Sequence, residues 1–262
     1  MRLAVISDIH GNLTALEAVL ADLEVCGGAD RLWFLGDLAA FGPRPVECIR
    51  RIKAFADAAS EGDKKGTFCS VQGNTDRYLV TNGRPIWNGG DSAEAFENYV
   101  NTTGKMNQAL RWTIEQLSFD DYDFLRKVGG ECDLTVDGFG TVIGYHAVPG
   151  NDEAFLTPET SDEEAADALL DREGRVGIGG HIHRQFDRTL SIGGWRAVNV
   201  GSVGVSFDMP GKAQYGLFTF ENGEMHVDLR AIPYDLDAVI ADLYAVGYPV
   251  PEWTERNYRR SG

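Results

Sequence analysis

Leu3-Ala4-Val5-Ile6-Ser7-Asp8-Ile9-His10-Gly11 is the stretch on which the fold of this chain turns. Four apolar residues in a row, without polar alternation, describe a strand buried on both faces, the kind found in sheets covered by helices. The run stops at Ser7-Asp8, so the strand ends by delivering a carboxylate and, two residues on, an imidazole. The pattern then repeats. Leu13, Leu16, Val19, Leu20 and Leu23 recur at helical spacing and stop at Gly27-Gly28. Leu32-Trp33-Phe34-Leu35 is a second buried strand, ending at Gly36-Asp37. Pro43 and Pro45 open a helical pattern through Val46, Ile49, Ile52 and Phe55. Thr67 to Val71 gives a third strand, ending at Gly73-Asn74. Alternating strand and helix predicts an α/β fold, in which ligands gather at the carboxyl ends of the strands.

Residues 77 to 130 change character, with helical patterns near Ala93–Val100, Met106–Leu117 and Tyr122–Val128, and read as a helical insertion or cap. Cys132–Val136 and Thr141–Tyr145 form a hairpin about Asp137-Gly138. Ser161, with Glu164 three residues later, caps a helix through Leu170. Short strands follow near Val176–Ile178, Phe186–Leu190, Trp195–Val198, Tyr215–Phe220 and Met225–Leu229, and a last helix, Leu236 to Tyr244, closes the fold. Neither repeats nor low-complexity linkers interrupt the 262 residues, so one domain is expected over 1–262.

Apolar content of 43% and aromatic content of 10% are those of an ordinary globular protein. With 40 acidic against 24 basic residues the net charge is −16, the wrong sign for long-range attraction to duplex nucleic acid or an anionic membrane. A small phosphate ester held by metals stays compatible, because metals reverse the local field. Cys26, Cys48, Cys69 and Cys132 are widely spaced with no CxxC pair, and read as buried thiols of a reducing cytosol. The apolar run at the N-terminus is too short for a signal sequence, and no stretch is long enough to span a bilayer. A cytoplasmic location is expected; the oligomeric state stays open.

Four of the five histidines sit in Asp8-Ile9-His10, Gly144-Tyr145-His146 and Gly180-His181-Ile182-His183, beside the Gly36-Asp37 and Gly73-Asn74 strand ends. If the Asp8/His10 and His181/His183 segments are extended, residues at i and i+2 point the same way and present paired ligands. The glycines let the backbone turn and approach closely. Oxygen and nitrogen donors without thiolate suit Mn, Fe, Zn, Co or Ni rather than Ca. Seven candidate ligands, Asp8, His10, Asp37, Asn74, His146, His181 and His183, exceed one tetrahedral site and fit two ions sharing a carboxylate. We expect two divalent metal ions, with Mn favoured. His226, alternating with apolar residues, reads as a surface or pairing histidine.

The order D-x-H, G-D, G-N, G-x-H, G-H-x-H resembles the calcineurin-like metallophosphoesterase superfamily. Asp8-Ile9-His10-Gly11-Asn12-Leu13, Gly36 to Pro43 and Asn199-Val200-Gly201-Ser202-Val203-Gly204 are similar to its small prokaryotic phosphodiesterase branch. The resemblance runs from Met1 to about Phe220 and includes Ala109-Leu110-Arg111-Trp112. It implies a four-layer sandwich of two mixed β-sheets flanked by helices, with the helical insertion at about 77–130. It also implies that Asp8, His10, Asp37 and His183 hold one metal and Asp37, Asn74, His146 and His181 the other. Asp37 would bridge, and a metal-bridging hydroxide would be the nucleophile.

The departures narrow the reading. Many phosphatases of the superfamily carry a histidine after the motif asparagine, placed to protonate the leaving oxygen. Here that residue is Thr75, whose hydroxyl is too weak an acid near neutrality. Phe41-Gly42-Pro43 also replaces the D-R-G of protein phosphatases. The expected activity is therefore a phosphodiesterase acting on a small phosphate ester through Asp37, Asn74 and His146. Competing readings are a non-catalytic metal-binding scaffold of the same fold, which would bind metal without turnover, and a phosphomonoesterase or nuclease. The nuclease suffers from the acidic surface and the lack of a basic groove. Asp76 is expected either to orient a ligand histidine or to cap the next segment; Arg44, Arg77 and Arg184 are candidates to touch substrate phosphate. Trp87 and Trp112 read as core.

Overall fold

The computed structural model describes residues 1–85, 88–169 and 174–260. Trp87 and Leu170 lie outside these residues, so the readings made for them have no counterpart here. Ten strands form two five-stranded mixed sheets among the described residues. The first sheet runs β10 (Glu224–Pro233), β9 (Lys212–Glu221), β1 (Arg2–Ile6), β2 (Arg31–Phe34), β3 (Phe68–Ser70). The second runs β4 (Cys132–Val136), β5 (Gly140–Gly144), β6 (Val176–Gly179), β8 (Arg196–Val200), β7 (Gln185–Thr189). β1, β2 and β3 are parallel, and β9 lies antiparallel against β1.

The apolar run of β1 is explained by its two faces. Ala4 and Ile6 point into a core shared with the helices, whereas Leu3 and Val5 point into the core between the sheets. β2 repeats this, with Leu32 and Phe34 toward the helices and Trp33 between the sheets. Covering the first sheet are α1 (Leu13–Val25), α2 (Pro45–Ala58), α3 (Asn74–Thr81), α4 (Ala93–Gln116) and α5 (Phe119–Lys127). On the outer face of the second sheet α6 (Asp162–Leu169) packs Ala165, Ala166 and Leu169 against Ile143, Tyr145 and Ala197. The result is the four-layer sandwich of two mixed sheets flanked by helices. The Ser161/Glu164 capping box is made in both directions.

Three readings are corrected. The two helical patterns near Ala93–Val100 and Met106–Leu117 are one helix of 24 residues, which runs through Gly104, since a single glycine weakens a helix without ending it. Leu236–Tyr244 is not the last helix. After α7 (Leu236–Ala245) the chain forms α8 (Pro251–Arg259), whose Pro251 supplies the favoured first-turn proline. Cys69 and Cys132 are not thiols but a disulfide, with Cα atoms 6.0 Å apart. It joins β3 to β4, the edge strands of the two sheets, and its partners stand 63 residues apart in sequence, so no local spacing announces it. The cysteine argument for a reducing compartment falls with it. Among the described residues no helix is long and apolar enough to cross a membrane.

Alkylating the denatured, unreduced chain is expected to label Cys26 and Cys48 alone, the two free cysteines. Reduction should then lower stability by up to about 4 kcal/mol, from the loop-closure entropy of a loop this long. Mass spectrometry showing four labelled cysteines before reduction would contradict the cross-link.

Candidate metal centre

The seven residues singled out in sequence converge from both sheets at the carboxyl ends of β1, β2, β3, β5 and β6. Asp8, His10 and His183 present donor atoms within 4.8 Å of one another, and Asp37, His146 and His181 do the same beside them. Asn74 joins the second group, its Oδ1 lying 3.0 Å from His146 Nε2. Asp37 Oδ2 stands between the groups, 3.6 Å from both His10 Nε2 and His146 Nε2.

The route by which the side chains meet is not strand alternation. Asp8, His10, Asp37, His181 and His183 all adopt left-handed backbone, with φ of +55°, +50°, +60°, +68° and +56°. Such conformations cost non-glycine residues about 1–3 kcal/mol each and persist where the surroundings over-determine them. The surroundings here are backbone hydrogen bonds: Asp8 N–H donates to Gly36 O, and His10 N–H to Asp37 O. The Asn199–Gly204 motif buttresses the same turns. Asn199 donates to Gly180 O, Ser202 Oγ to Asp8 O, and Gly204 N–H to Asp8 O. Gly73 is required by proximity, because a Cβ there would fall 2.2 Å from Asp37 Oδ1.

Each carboxylate has one oxygen held and one free. Asp8 Oδ2 accepts from His181 N–H at 2.9 Å, leaving Oδ1 buried without a hydrogen-bond partner. Asp37 Oδ1 accepts from Thr75 N–H at 2.9 Å, leaving Oδ2 toward the histidines. The rings are aimed the same way. His10 Nδ1–H donates to Ala40 O and His146 Nδ1–H to Leu35 O, at 3.0 and 2.7 Å, so in the neutral rings both Nε2 atoms carry lone pairs. Each faces a further candidate donor: His183 Nε2 at 3.0 Å from His10, and Asn74 Oδ1 with His181 Nδ1 at 3.0 and 3.2 Å from His146. Acceptors brought together in a buried place need either extra protons or cations between them. Buried carboxylate and imidazole donors so arranged fit divalent cations.

The electrostatics agree. Burial favours a neutral Asp8, but the neighbouring imidazoles, His183 foremost, outweigh it and hold the carboxyl below its usual range. Burial depresses His10, and burial together with His146 brings His181 down to about 4, which keeps its nitrogens free to ligate. His146 moves upward, because Asp37 and Asp8 outweigh the burial that opposes a charge there.

Asp76 orients no histidine. As the third residue of α3 it accepts from Gly73 N–H and from Asp37 N–H and Leu38 N–H, so it caps the helix and positions the backbone of Asp37. Burial and the nearby Asp37 raise its pKa to about 7. The three arginines are all taken by carboxylates: Arg44 by Asp242 and Glu47, Arg77 by Asp152 and Glu153, Arg184 by Glu159. None lines the cavity over the donor atoms. His226 is an exposed member of β10 opposite Thr219, and Trp112 packs edge-on against Tyr248.

The cavity over the two donor groups measures about 460 Å³. Its floor is polar and its walls are aromatic. Phe207 stacks on His183 at 4.7 Å, Phe155 sits 5.1 Å from His181, and Phe41 5.7 Å from His10 with Trp253 of α8 behind it. Among the described residues no lysine or arginine lines it. These walls were not read from sequence. Phe155 and Phe207 lie in loops without periodicity, and Trp253 lies in a helix whose charged residues hide its one apolar edge.

The calcineurin-like phosphoesterase superfamily domain matches residues 1–223. An uncharacterized protein of Methanocaldococcus jannaschii is 27% identical over 266 residues, covering 96% of this chain and 94% of that one. A symmetrical bis(5′-nucleosyl)-tetraphosphatase of Vibrio vulnificus is 30% identical over 112 residues, which is 43% of this chain and only 38% of that enzyme. Among solved structures, a hypothetical protein from Pyrococcus horikoshii superposes with a TM-score of 0.78 at 19% identity, over 100% of this chain and 98% of the other. A metallophosphoesterase from Sphaerobacter thermophilus gives 0.71 at 24% identity over 98% of each chain. With the matched region containing all seven converging residues, the chain belongs to the calcineurin-like phosphoesterase superfamily.

Proposed function

We propose that the chain is a phosphodiesterase that uses two divalent metal ions, held by Asp8, His10, Asp37 and His183 on one side and by Asp37, Asn74, His146 and His181 on the other. The observation that carries it is Asp37 Oδ2, equidistant at 3.6 Å from a histidine of each group. Bound there, two divalent cations would supply Lewis-acid charge and acidified water for attack on phosphorus; the mixed imidazole and carboxylate donors suit Mn, Fe, Zn, Ni or Co, of which we propose Mn. The chain's own residues set the orientation. Backbone N–H groups lock one oxygen of each aspartate, and backbone carbonyls fix the tautomers of His10 and His146.

The leaving group receives little help from the protein. Thr75 lines the cavity with its buried hydroxyl unpartnered, and that hydroxyl is a poor acid. Tyr78 donates to Glu153, and burial pushes its pKa well up, so neither can protonate an alkoxide near neutrality. Esters with acidic leaving groups are therefore the better substrates, and the aromatic walls favour an organic group on the phosphate. The decisive assay is hydrolysis of bis(4-nitrophenyl) phosphate by the purified protein with Mn²⁺. Turnover is expected, and His146→Ala should lower it at least a hundredfold. A wild-type rate no greater than that of His146→Ala would remove the proposal.

A further inference from the structure

A second groove, of about 530 Å³, lies beside the metal cavity between α4 and α8. On α4 its lining residues are Asn98, Asn101, Thr102 and Lys105, and on α8 they are Trp253, Arg256 and Asn257, joined by the C-cap residue Arg260. Asn98, Asn101, Thr102 and Lys105 follow the i, i+3, i+4, i+7 spacing of one face of α4, and Trp253, Arg256 and Asn257 share a face of α8. Among the described residues the groove is lined by three cations and no carboxylate. The chain carries a net charge of −16, and Arg44, Arg51, Arg77, Arg184 and Arg230 are each held by a carboxylate. Lys105, Arg256 and Arg260 make no ion pair among the described residues; Arg256 Nε donates only to the Glu252 carbonyl. This corrects the expectation that the protein lacks a basic groove. Its cations are separated by some 150 residues of sequence and meet only because α8 packs beside α4.

Trp253 and Asn257 line the groove and the metal cavity alike, so the two spaces adjoin. Among the described residues no lysine or arginine lines the metal cavity, and a second phosphate on a substrate would find no side-chain counter-charge from them there. Three cations and three amides along one groove are the donors that phosphate oxygens accept from. We propose that the α4–α8 groove binds a second, non-scissile phosphate group of the same substrate, with an intervening aromatic group against Trp253. This rests on the phosphodiesterase reading for the metal cavity. The substrate class is thus a phosphodiester that carries a further phosphate on its organic part, as a nucleoside bisphosphate ester does.

Two esters with the same leaving group test this: deoxythymidine 5′-(4-nitrophenyl phosphate) with and without a 3′-phosphate. The wild type should show the higher kcat/KM on the 3′-phosphorylated ester. The double variant Lys105→Ala/Arg256→Ala should lower that preference about tenfold or more, from the loss of two charge-assisted contacts. Lys105→Arg/Arg256→Lys should keep most of it. The same preference in wild type and alanine variant, or no preference in the wild type, would overturn the assignment. If neither ester is hydrolysed the phosphodiesterase reading fails, and the groove is then decided by calorimetric titration of inorganic phosphate into chelator-treated protein. Saturable binding that the alanine variant loses supports an anion site; no binding overturns it. Phosphate binding that leaves the kinetic preference untouched makes this a site for free phosphate and overturns the substrate assignment. So does steeply salt-dependent duplex DNA binding through the same residues.

Discussion

Asp37→Asn is expected to lower phosphoester turnover by at least about a thousandfold and to reduce the bound metal below two ions per chain. Loss of single supporting groups in such sites already costs about ten- to a thousandfold, and Asp37 is more central than those. Its Oδ1 accepts from Thr75 N–H, and an asparagine can keep that bond with its own Oδ1. The amide NH₂ would then occupy the place of Oδ2, 3.6 Å from the Nε2 atoms of His10 and His146. A charged acceptor shared by both donor groups becomes a neutral donor shared by both. The side-chain volume hardly changes, so the fold should survive. Metal analysis by plasma mass spectrometry, with a parallel rate measurement, reads both effects. Two retained ions and an unchanged rate would refute the bridging role.

Gly180→Ala is expected to be nearly as damaging, by a different route. A Cβ at this position would fall 2.0 Å from Ser7 Oγ and 2.4 Å from Asp8 Oδ2. Neither neighbour is the loose end of a flexible side chain. Ser7 donates to Leu35 O, and Asp8 Oδ2 accepts from His181 N–H. Overpacking against held groups costs about 1–3 kcal/mol. The crowded Oδ2 also anchors the carboxylate whose other oxygen one metal would use, so metal affinity should fall at least about tenfold. Urea denaturation and metal titration measure the two losses. Gly104→Ala is the control: nothing lies within 4 Å of its added Cβ, and a helix gains about 0.5–1 kcal/mol from the exchange. Equal stability of Gly180→Ala and the wild type would show that the close approach at Gly180 is not needed.

Legibility in the sequence followed burial. β1 and β2 bury both faces, so their side chains had no freedom to be polar, and the apolar runs marked them plainly. α1 and α2 bury one face each and showed the helical period. α8 did not: only Thr254 and Tyr258 are fully buried among its nine residues, and its charges obscured the pattern. Gly104 broke α4 in sequence but not in space, since a single glycine weakens a helix without ending it. The seven converging residues were legible because glycine, carboxylate and imidazole stood together at strand ends. How they meet was misread, since left-handed backbone is set by the hydrogen bonds of neighbouring loops and leaves no periodic trace.

By itself, then, the sequence determined which carboxylates, imidazoles and amide are brought together and the sheet ends that deliver them, because both depend on local order along the chain. The tertiary structure alone decided what surrounds them. The Cys69–Cys132 cross-link, the capture of Arg44, Arg77 and Arg184 by carboxylates, the aromatic walls, and the Lys105–Arg256–Arg260 groove all join residues far apart in the chain. Such pairings arise when helices and sheets pack, and packing is a property of the assembled layers that no single segment encodes.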